Sequence, residues 1–371
     1  MNKTKISPKI KVALVYDWLD TNYGGAEKVL QLLHQIFPNA ALFTSYVDYQ
    51  KVKWHQQFTK IETSFIQKFP TSIKKNKPLL ALFMPYAFET FNFNSYDLII
   101  SVSSFAAKGI ITNPMQLHLC YLLTPTRFLY SHSNTYLSPF KKFISRPFIH
   151  YLKKWDQVAI SRPDYIIAIS QLVAKRCQKY YQRKVEKVIY PTITPNNSDS
   201  HQVKQNYFLV ISRLVKYKKI DLVIKACGQL NYSLKIIGQG PEYHSLKKLI
   251  NKNGWQDKIE LLGNLKETQT QQYLSAAGAL IAPGLEDFGI NLIEANQHQT
   301  LVIAHPKSGA LELLDSSMFI EIKNPNLTGL IDAIKQVEKL KINNIKKQKN
   351  NTESFLQEFS EYISHLYCTI Q

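Results

Sequence analysis

The chain has 371 residues, 45% of them hydrophobic, which is long for one domain and favours two. The 46 Lys and Arg residues outnumber the 27 Asp and Glu residues and give a net charge of +19. This excess predicts an anionic partner, which could be nucleic acid, an acidic membrane face or a phosphorylated substrate, although the abundance of Lys, Asn and Ile accounts for part of it.

The N-terminus and the cysteines bear on location. Residues 1–20 hold only a short apolar stretch before Asp17, so they predict a first strand rather than a signal peptide. No apolar run reaches the roughly 18 residues of a transmembrane helix. Four cysteines without metal or redox spacing are expected to be buried free thiols of a cytoplasmic protein: Cys120, Cys177, Cys227 and Cys368.

The first half of the chain alternates strands and helices. Residues 11–16 predict a strand, Gly24-Gly25 a turn, and residues 26–37 a helix, because apolar residues recur there at helical spacing. This is the opening βα unit of a doubly wound domain. Further strands are predicted at residues 40–44, 97–102, 117–123, 165–169 and 187–190.

A polar, turn-rich linker is predicted at residues 191–198, and the alternation then restarts. Strands are predicted at residues 207–211, 233–237, 258–262, 279–282, 301–304 and 318–321. Helices are predicted at residues 219–230, 241–253 and 267–276, from Asn291, near 310–314, and at 327–340. The chain is therefore expected to be an α/β protein with two Rossmann-like, doubly wound domains facing across a cleft.

Two carboxylates mark the predicted junction of a strand and a helix at residues 283–295. Glu286 is expected in the loop and Glu294 in the helix, with Phe288-Gly289 between them. In a parallel sheet the carboxyl ends of the strands form the ligand crevice, and a helix N-terminus there attracts an anion. Carboxylates accept hydrogen bonds from sugar hydroxyls, and the helix N-terminus binds an anion such as a phosphate. Together they predict a site for a nucleotide sugar. The alternative is an ordinary junction with two solvated glutamates.

The spacing of Glu286 and Glu294, with Phe-Gly after the first, resembles the donor-site signature of glycosyltransferase family 4, retaining enzymes of the GT-B fold. The resemblance implies that Glu286 contacts the transferred sugar and Glu294 the ribose hydroxyls. The donor is also expected to meet the residues that connect them: Phe288, Gly289, Ile290 and Asn291.

Two cations, Arg213 and Lys218, follow the first strand of the second half. In the resembled family an Arg and a Lys at this spacing hold the donor phosphates, where charge-assisted hydrogen bonds are strong. Both are expected to be exposed, and the alternative is two solvated surface cations. The resemblance also implies that Gly24 and Gly25 approach the phosphates and that the loops at Gly240 and Leu262 border the base.

The residues expected to bind the acceptor match the resembled family less completely than those expected to bind the donor. Residues 121–127 resemble the Tyr-x-His-Thr-Pro-x-Arg segment of bacterial enzymes that make mannose-containing surface polysaccharides, but Leu123 stands where that group has His. Arg127 is expected to meet an acceptor phosphate or to form a structural salt bridge. Residues 65–93 and 140–155 mix aromatic and basic side chains, which predicts either an anionic membrane surface or core helices with solvated lysines.

The expected protein is a retaining, metal-independent GT-B hexosyltransferase without a cofactor, since no Asp-x-Asp motif or His/Cys cluster occurs. It is expected to move a hexose, mannose first, from a nucleotide sugar such as GDP-mannose to a polysaccharide or lipid-linked acceptor at the inner face of the membrane. The acceptor domain would span residues 1–192 plus helix 352–371, and the donor domain 193–351. The alternatives are a silent GT-B scaffold or membrane adaptor, or another GT-B nucleotide-sugar enzyme; no nucleic-acid motif is present.

Overall fold

The structure of the protein is a computed structural model that describes residues 10–21, 24–131, 139–191, 203–339 and 352–370. At 139–145, 338–339, 352–353 and 368–370 it describes the backbone alone. The chain divides into two compact units. The first unit comprises Met1–Pro191 and Thr352–Gln371, and the second comprises Thr192–Asn351. The predicted linker at 191–198 lies, after Pro191, outside the described residues.

The described part of the first unit contains seven strands: β1 (Val12–Tyr16), β2 (Ala41–Thr44), β3 (Ile61–Thr63), β4 (Leu98–Ser103), β5 (Leu117–Leu122), β6 (Tyr165–Ala168) and β7 (Lys187–Val188). They form one parallel sheet in the order β3-β2-β1-β4-β5-β6-β7. The central strands are apolar and fully buried, as expected of a sheet covered on both faces. The sequence did not predict β3, because its three half-buried residues form no apolar run.

Helices connect these strands: α1 (Gly25–Ile36), α2 (Thr71–Lys75), α3 (Lys77–Leu80), α4 (Met84–Glu89), α5 (Pro139–Ala159) and α6 (Gln171–Tyr181). In α1 the residues Val29, Leu30 and Leu33 share one face and are buried, as the helical spacing predicts. Helices α4 and α5 are neighbours, because Trp155 Nε1 of α5 donates a hydrogen bond of 2.7 Å to Glu89 of α4.

A buried ion pair fixes the loops that follow β4 and β5. Lys108 Nζ lies 2.6 Å from Asp156 Oδ1, and both side chains are inaccessible to solvent. Thr126 Oγ1 and Tyr181 Oη each donate to the Asp156 carboxylate at 2.7 Å. Because breaking one partner of a buried pair leaves an uncompensated charge, this cluster strongly favours a single arrangement of the loops.

The described part of the second unit repeats the architecture with six strands: β8 (Phe208–Ile211), β9 (Leu234–Ile237), β10 (Ile259–Gly263), β11 (Ala279–Ala282), β12 (Leu301–Ala304) and β13 (Phe319–Glu321). The sheet is parallel, in the order β10-β9-β8-β11-β12-β13. Its helices are α7 (Ile220–Gln229), α8 (Tyr243–Lys252), α9 (Glu267–Ala276), α10 (Ile290–Gln297) and α11 (Leu327–Lys339). The prediction of two Rossmann-like α/β domains is confirmed.

The last helix, α12 (Thr352–Ile370), belongs to the first unit. Its face of Phe355, Phe359, Ile363 and Leu366 is buried, and both phenylalanine rings contact the ring of Tyr121 on β5. Within the described residues, no helix combines the length and the apolar character that crossing a bilayer requires.

Three of the four cysteines are described, and all three are buried free thiols: Cys120, Cys177 and Cys227. Burial raises the pKa of the Cys120 thiol to about 11 and those of Cys177 and Cys227 to about 12. They are therefore protonated core side chains at neutral pH. The side chain of Cys368 lies outside the described residues.

Candidate functional site

The predicted donor-site residues of the second unit gather at one edge of its sheet. β8 lies between β9 and β11, so the strand order reverses at the β8–β11 pair. In doubly wound sheets this reversal, at the carboxyl ends of the strands, is where ligands bind. The loop after β8 carries Arg213 and Lys218, and the loop after β11 carries Glu286.

The backbone of the loop after β8 determines where Lys218 points. Residues Lys216–Lys218 form a short 3-10 helix, and the N–H of Lys218 donates to the carbonyl of Val215 at 3.0 Å. Lys219 follows in the left-handed region at φ 56° and donates from Nζ to the carbonyl of Pro325 at 3.0 Å. The two lysines therefore point to different partners, and Lys218 is the one that points to the loop after β11.

The ammonium of Lys218 forms an ion pair and hydrogen bond with Oε1 of Glu286. The two side chains are only 12% and 13% exposed. The backbone of Glu286 is held on both sides, since its N–H donates to Ser308 Oγ at 3.3 Å and its carbonyl accepts from the N–H of Gly309 at 3.2 Å. The expectation that Lys218 is exposed is therefore wrong, because this carboxylate covers it.

Tyr217 is a site residue that the sequence did not predict. Its hydroxyl lies 3.3 Å from a guanidinium nitrogen of Arg213, and the ammonium of Lys218 lies 5.4 Å from the centre of its ring. One aromatic ring thus links the two cations. Arg213 itself is exposed, as expected. The signal that could have identified Tyr217 is an aromatic residue placed directly before the lysine.

Two glycines shape the loop after β11, since Gly284 allows its close approach to the loop after β8 and Gly289 allows its turn into α10. A Cβ on Gly284 would lie 2.9 Å from the Cα of Lys218. Gly289 has φ 92°, and a Cβ there would lie 3.1 Å from the Cβ of Glu286. Phe288, just before it, is buried. Substitution at either glycine would therefore move the Lys218–Glu286 pair.

Helix α10 begins at Ile290, one residue before the predicted start. The side-chain amide of Asn291 donates to the carbonyl of Ile211 at 2.9 Å, which joins the first turn of α10 to the end of β8. The first turn of a helix presents N–H groups that have no intrahelical acceptor. Glu294 lies one turn further on and is 5% exposed.

The loops after β9 and β10 pack against the loop after β8. A Cβ on Gly240 would lie 2.3 Å from the carbonyl oxygen of Leu214, and one on Gly238 would lie 1.9 Å from that of Ser212. The N–H of Gly238 donates to the carbonyl of Gly263 at 2.8 Å, next to the partly exposed Leu262. The predicted base-binding loops are therefore attached to the loop that carries the cations.

In the first unit, Gly24 and Gly25 lie where β1 meets α1. Gly24 caps the helix, and a Cβ on it would lie 2.2 Å from a carboxylate oxygen of Glu27. Glu27 is buried and accepts hydrogen bonds from Tyr16 Oη at 2.9 Å and Thr21 Oγ1 at 3.0 Å. Burial raises the pKa of the Glu27 carboxyl, and these donors partly offset the rise. Glu27 is a buried residue that no motif of the sequence predicted.

Asp17 connects the ends of β1 and β4 in the first unit. Its buried carboxylate accepts five hydrogen bonds of 2.7–3.0 Å, and all of them come from residues 104–107. Leu123 follows β5 and is buried, so this position offers an apolar surface where the resembled bacterial group has an imidazole. Arg127 is partly exposed in the turn beyond it.

Residues 194–355 match the family model described as "Glycosyl transferases group 1". The matched stretch covers the second unit and reaches the first residues of α12. Over 162 residues, the chain is 31% identical to the phosphatidylinositol N-acetylglucosaminyltransferase gpi3 subunit of Schizosaccharomyces pombe. This alignment covers 42% of this chain and 34% of that subunit. Over 220 residues, the chain is 26% identical to an uncharacterized glycosyltransferase of Methanocaldococcus jannaschii. This alignment covers 57% of this chain and 59% of that protein. The chain thus spans about a third of the first relative and about three fifths of the second.

Solved structures share the fold across almost the whole chain. Anabaena HepE in complex with UDP and glucose has a TM-score of 0.68 at 19% identity, covering 96% of this chain and 99% of that one. WaaG, a glycosyltransferase involved in lipopolysaccharide biosynthesis, has a TM-score of 0.61 at 14% identity, covering 97% and 95%. The chain therefore has the fold of the GT-B glycosyltransferases.

Proposed function

We propose that this chain is a glycosyltransferase that moves a hexose from a nucleotide sugar to a saccharide or lipid-linked acceptor. The observation that carries the proposal is the placement of Lys218, Glu286 and Glu294 around the β8–β11 reversal of a unit that matches a glycosyltransferase family model. A cation for the phosphates, a carboxylate for the sugar and a buried carboxylate for the ribose are the groups that such a donor needs.

In this proposal the leaving diphosphate is neutralised by Arg213, Lys218 and the N–H groups at the start of α10, without a metal ion or cofactor. Preorganised donors of this kind act where negative charge develops in the transition state. Glu286 contacts the transferred sugar and Glu294 binds the ribose. Gly24 and Gly25 approach the phosphates, and the remaining donor contacts come from Gly240, Leu262, Phe288, Gly289, Ile290 and Asn291.

The finer features of the reaction belong to the same proposal. The reaction retains the anomeric configuration, and mannose from GDP-mannose is the first candidate donor. UDP-glucose and UDP-N-acetylglucosamine are the competing candidates, because a structural neighbour binds UDP and glucose and a sequence relative is named for N-acetylglucosamine transfer. The donor panel should therefore contain all three nucleotide sugars.

The test is release of nucleoside diphosphate from each of these donors, with a polyprenyl-phosphate-linked saccharide and phosphatidylinositol as acceptors. The proposal expects release from one donor, persistence in EDTA and an α-configured product. A protein that binds a nucleotide sugar but releases no diphosphate with any acceptor would instead be the silent scaffold. The buried Leu123 keeps that alternative open, because an imidazole is missing there.

An anionic membrane surface is the proposed location of the acceptor. On α5 the side chains of Phe148, Tyr151 and Val158 are half exposed among the exposed cations Arg146, Lys153 and Lys154, while Leu152 and Trp155 are buried on the opposite face. On the neighbouring α4 and the turn before it, Tyr86 and Phe83 are also exposed. In the rest of the predicted stretch at 65–93, Met84 and Phe88 are fully buried and Phe65, Phe69 and Phe91 pack partly buried against the same core. Lys68 and Lys75 in this stretch are exposed.

Sedimentation with vesicles tests this location. Each lysine near an anionic surface contributes about 1 kcal/mol, so replacing both Lys153 and Lys154 by Gln should weaken binding roughly thirtyfold, and salt should weaken binding of the unaltered protein. Lys247 and Lys248, an exposed pair on α8 of the second unit, provide the matched control. Equal loss from the two pairs would show that the net charge, rather than the α5 surface, determines binding. The predicted cations Lys141 and Lys142 have side chains outside the described part of the chain.

A further inference from the structure

The Lys218–Glu286 pair poses a question about how the donor enters the site. The proposed function requires the ammonium of Lys218 to bind a phosphate and Glu286 to bind a sugar hydroxyl. In the structure the ammonium and the carboxylate are already paired with each other. A ligand must therefore separate or share this pair before both groups can act.

We propose that the Lys218–Glu286 pair is an electrostatic latch that only a diphosphate opens, and that opening it releases Glu286 to bind the sugar. The proposal rests on the proposed function of the site. A diphosphate carries more charge than a carboxylate and replaces it as the partner of the ammonium. A free sugar offers no charge with which to make this exchange.

The fold holds the two members of the latch in place from both sides. The 3-10 helix at Lys216–Lys218 fixes the lysine backbone, and the bonds to Ser308 and Gly309 fix that of Glu286. The close approach at Gly284 keeps the two loops together. Because these bonds hold both backbones, the proposed exchange involves rotation of the Lys218 and Glu286 side chains without separation of the loops.

The chemistry predicts an unusual direction of effect. Removing the charge of Glu286 removes a competitor for the ammonium and a negative charge that repels the phosphates. A Glu286→Gln variant should therefore bind a bare diphosphate more tightly than the unaltered protein, although a residue that only contacts the sugar should leave this binding unchanged. The same variant should gain little additional affinity when the hexose is attached to the diphosphate.

Inorganic pyrophosphate is the probe, because it carries neither a base nor a sugar. Calorimetry should show at least about tenfold tighter pyrophosphate binding by Glu286→Gln, and the double variant with Lys218→Gln should lose this gain. Glu260→Gln is the matched control, since Glu260 also pairs with a lysine, Lys235 at 2.9 Å, on the strands of the same unit. It should bind as the unaltered protein does.

Equal or weaker pyrophosphate binding by Glu286→Gln, or a gain that survives in the double variant, would overturn the latch. If Glu286→Gln fails to fold, Glu286→Asp replaces it, because the shorter side chain withdraws the carboxylate and should give a smaller gain in the same direction. The pyrophosphate gain is independent of turnover, so it can appear even if no nucleotide sugar reacts. Turnover without the gain would retain the glycosyltransferase proposal and reject the latch.

Discussion

His118 on β5 should make the first unit sensitive to acid. Its side chain is fully buried, with Nε2 2.9 Å from Ser101 Oγ and, within the described residues, no hydrogen-bond partner for Nδ1. Burial, helped by Arg183 and Arg162, lowers the pKa of His118 from 6.5 to about 3. The His118 ring of the folded protein is therefore neutral at pH 5 and above.

The sign and size of the effect follow from proton linkage. Between pH 6.5 and 3 the unfolded chain binds a proton at His118 that the folded chain does not, so unfolding becomes more favourable as the pH falls. At about 1.4 kcal/mol per pH unit below the unfolded pKa, the free energy of unfolding should decrease by about 2 kcal/mol between pH 7 and pH 5 from this residue alone.

Urea unfolding at pH 7 and pH 5 measures this change in the free energy of unfolding. The comparison is the His118→Gln variant, because Gln can keep a hydrogen bond to Ser101 but does not titrate. A Trp255→Phe background makes fluorescence specific to the first unit, since the remaining tryptophans, Trp18, Trp54 and Trp155, all lie there. The variant should lose about 2 kcal/mol less than its parent between the two pH values. Identical pH dependence in the two proteins would refute the reasoning.

Three further outcomes are expected. Arg213→Ala should lower kcat roughly a hundredfold with unchanged thermal unfolding, since the exposed guanidinium is proposed to act on the leaving group. Lys248→Ala, at an exposed lysine of α8, should leave kcat unchanged. Equal activity of the two variants would remove Arg213 from the site. Gly238→Ala should destabilise the second unit by about 1–3 kcal/mol through its clash with Ser212, while Gly254→Ala, also at positive φ but in open space, should cost less. Amide hydrogen exchange of the second unit measures both, and equal losses would contradict this. Burial lowers the pKa of Lys204 to about 8, so between pH 8 and 10 the unfolded chain binds a proton at Lys204 that the folded chain does not. The free energy of unfolding of the unaltered protein, relative to that of Lys204→Gln, should therefore rise with pH in this range. A difference between the two proteins that does not change with pH would contradict this.

The sequence predicted most of the fold because the signals that define it are local. Ala279–Ala282 and Leu301–Ala304 are short apolar runs between turns, and the structure has strands at those residues. The strand Ile61–Thr63 was missed because a polar edge strand depends on its neighbour, here β2, for its pairing. The order of the strands then follows from the doubly wound topology.

The site was only partly predictable. Chain position placed Lys218 and Glu286 on loops of neighbouring strands, but their mutual pairing depends on side-chain directions that a sequence does not contain. Glu27 was missed for a related reason. Its burial follows from the packing of Tyr16 and Thr21 around it, and an acidic residue in the first turn of a helix is otherwise an ordinary surface feature.

The central claim is that the carboxyl edge of the second sheet binds a nucleoside diphosphate, and calorimetry with bare UDP and GDP tests it most directly. The account predicts that the unaltered protein binds one of the two, that Glu294→Gln weakens this binding by about 1.5–3 kcal/mol through loss of a charged hydrogen bond, and that Glu260→Gln has no effect. Binding of neither nucleotide by the unaltered protein, or equal binding by Glu294→Gln, would contradict it.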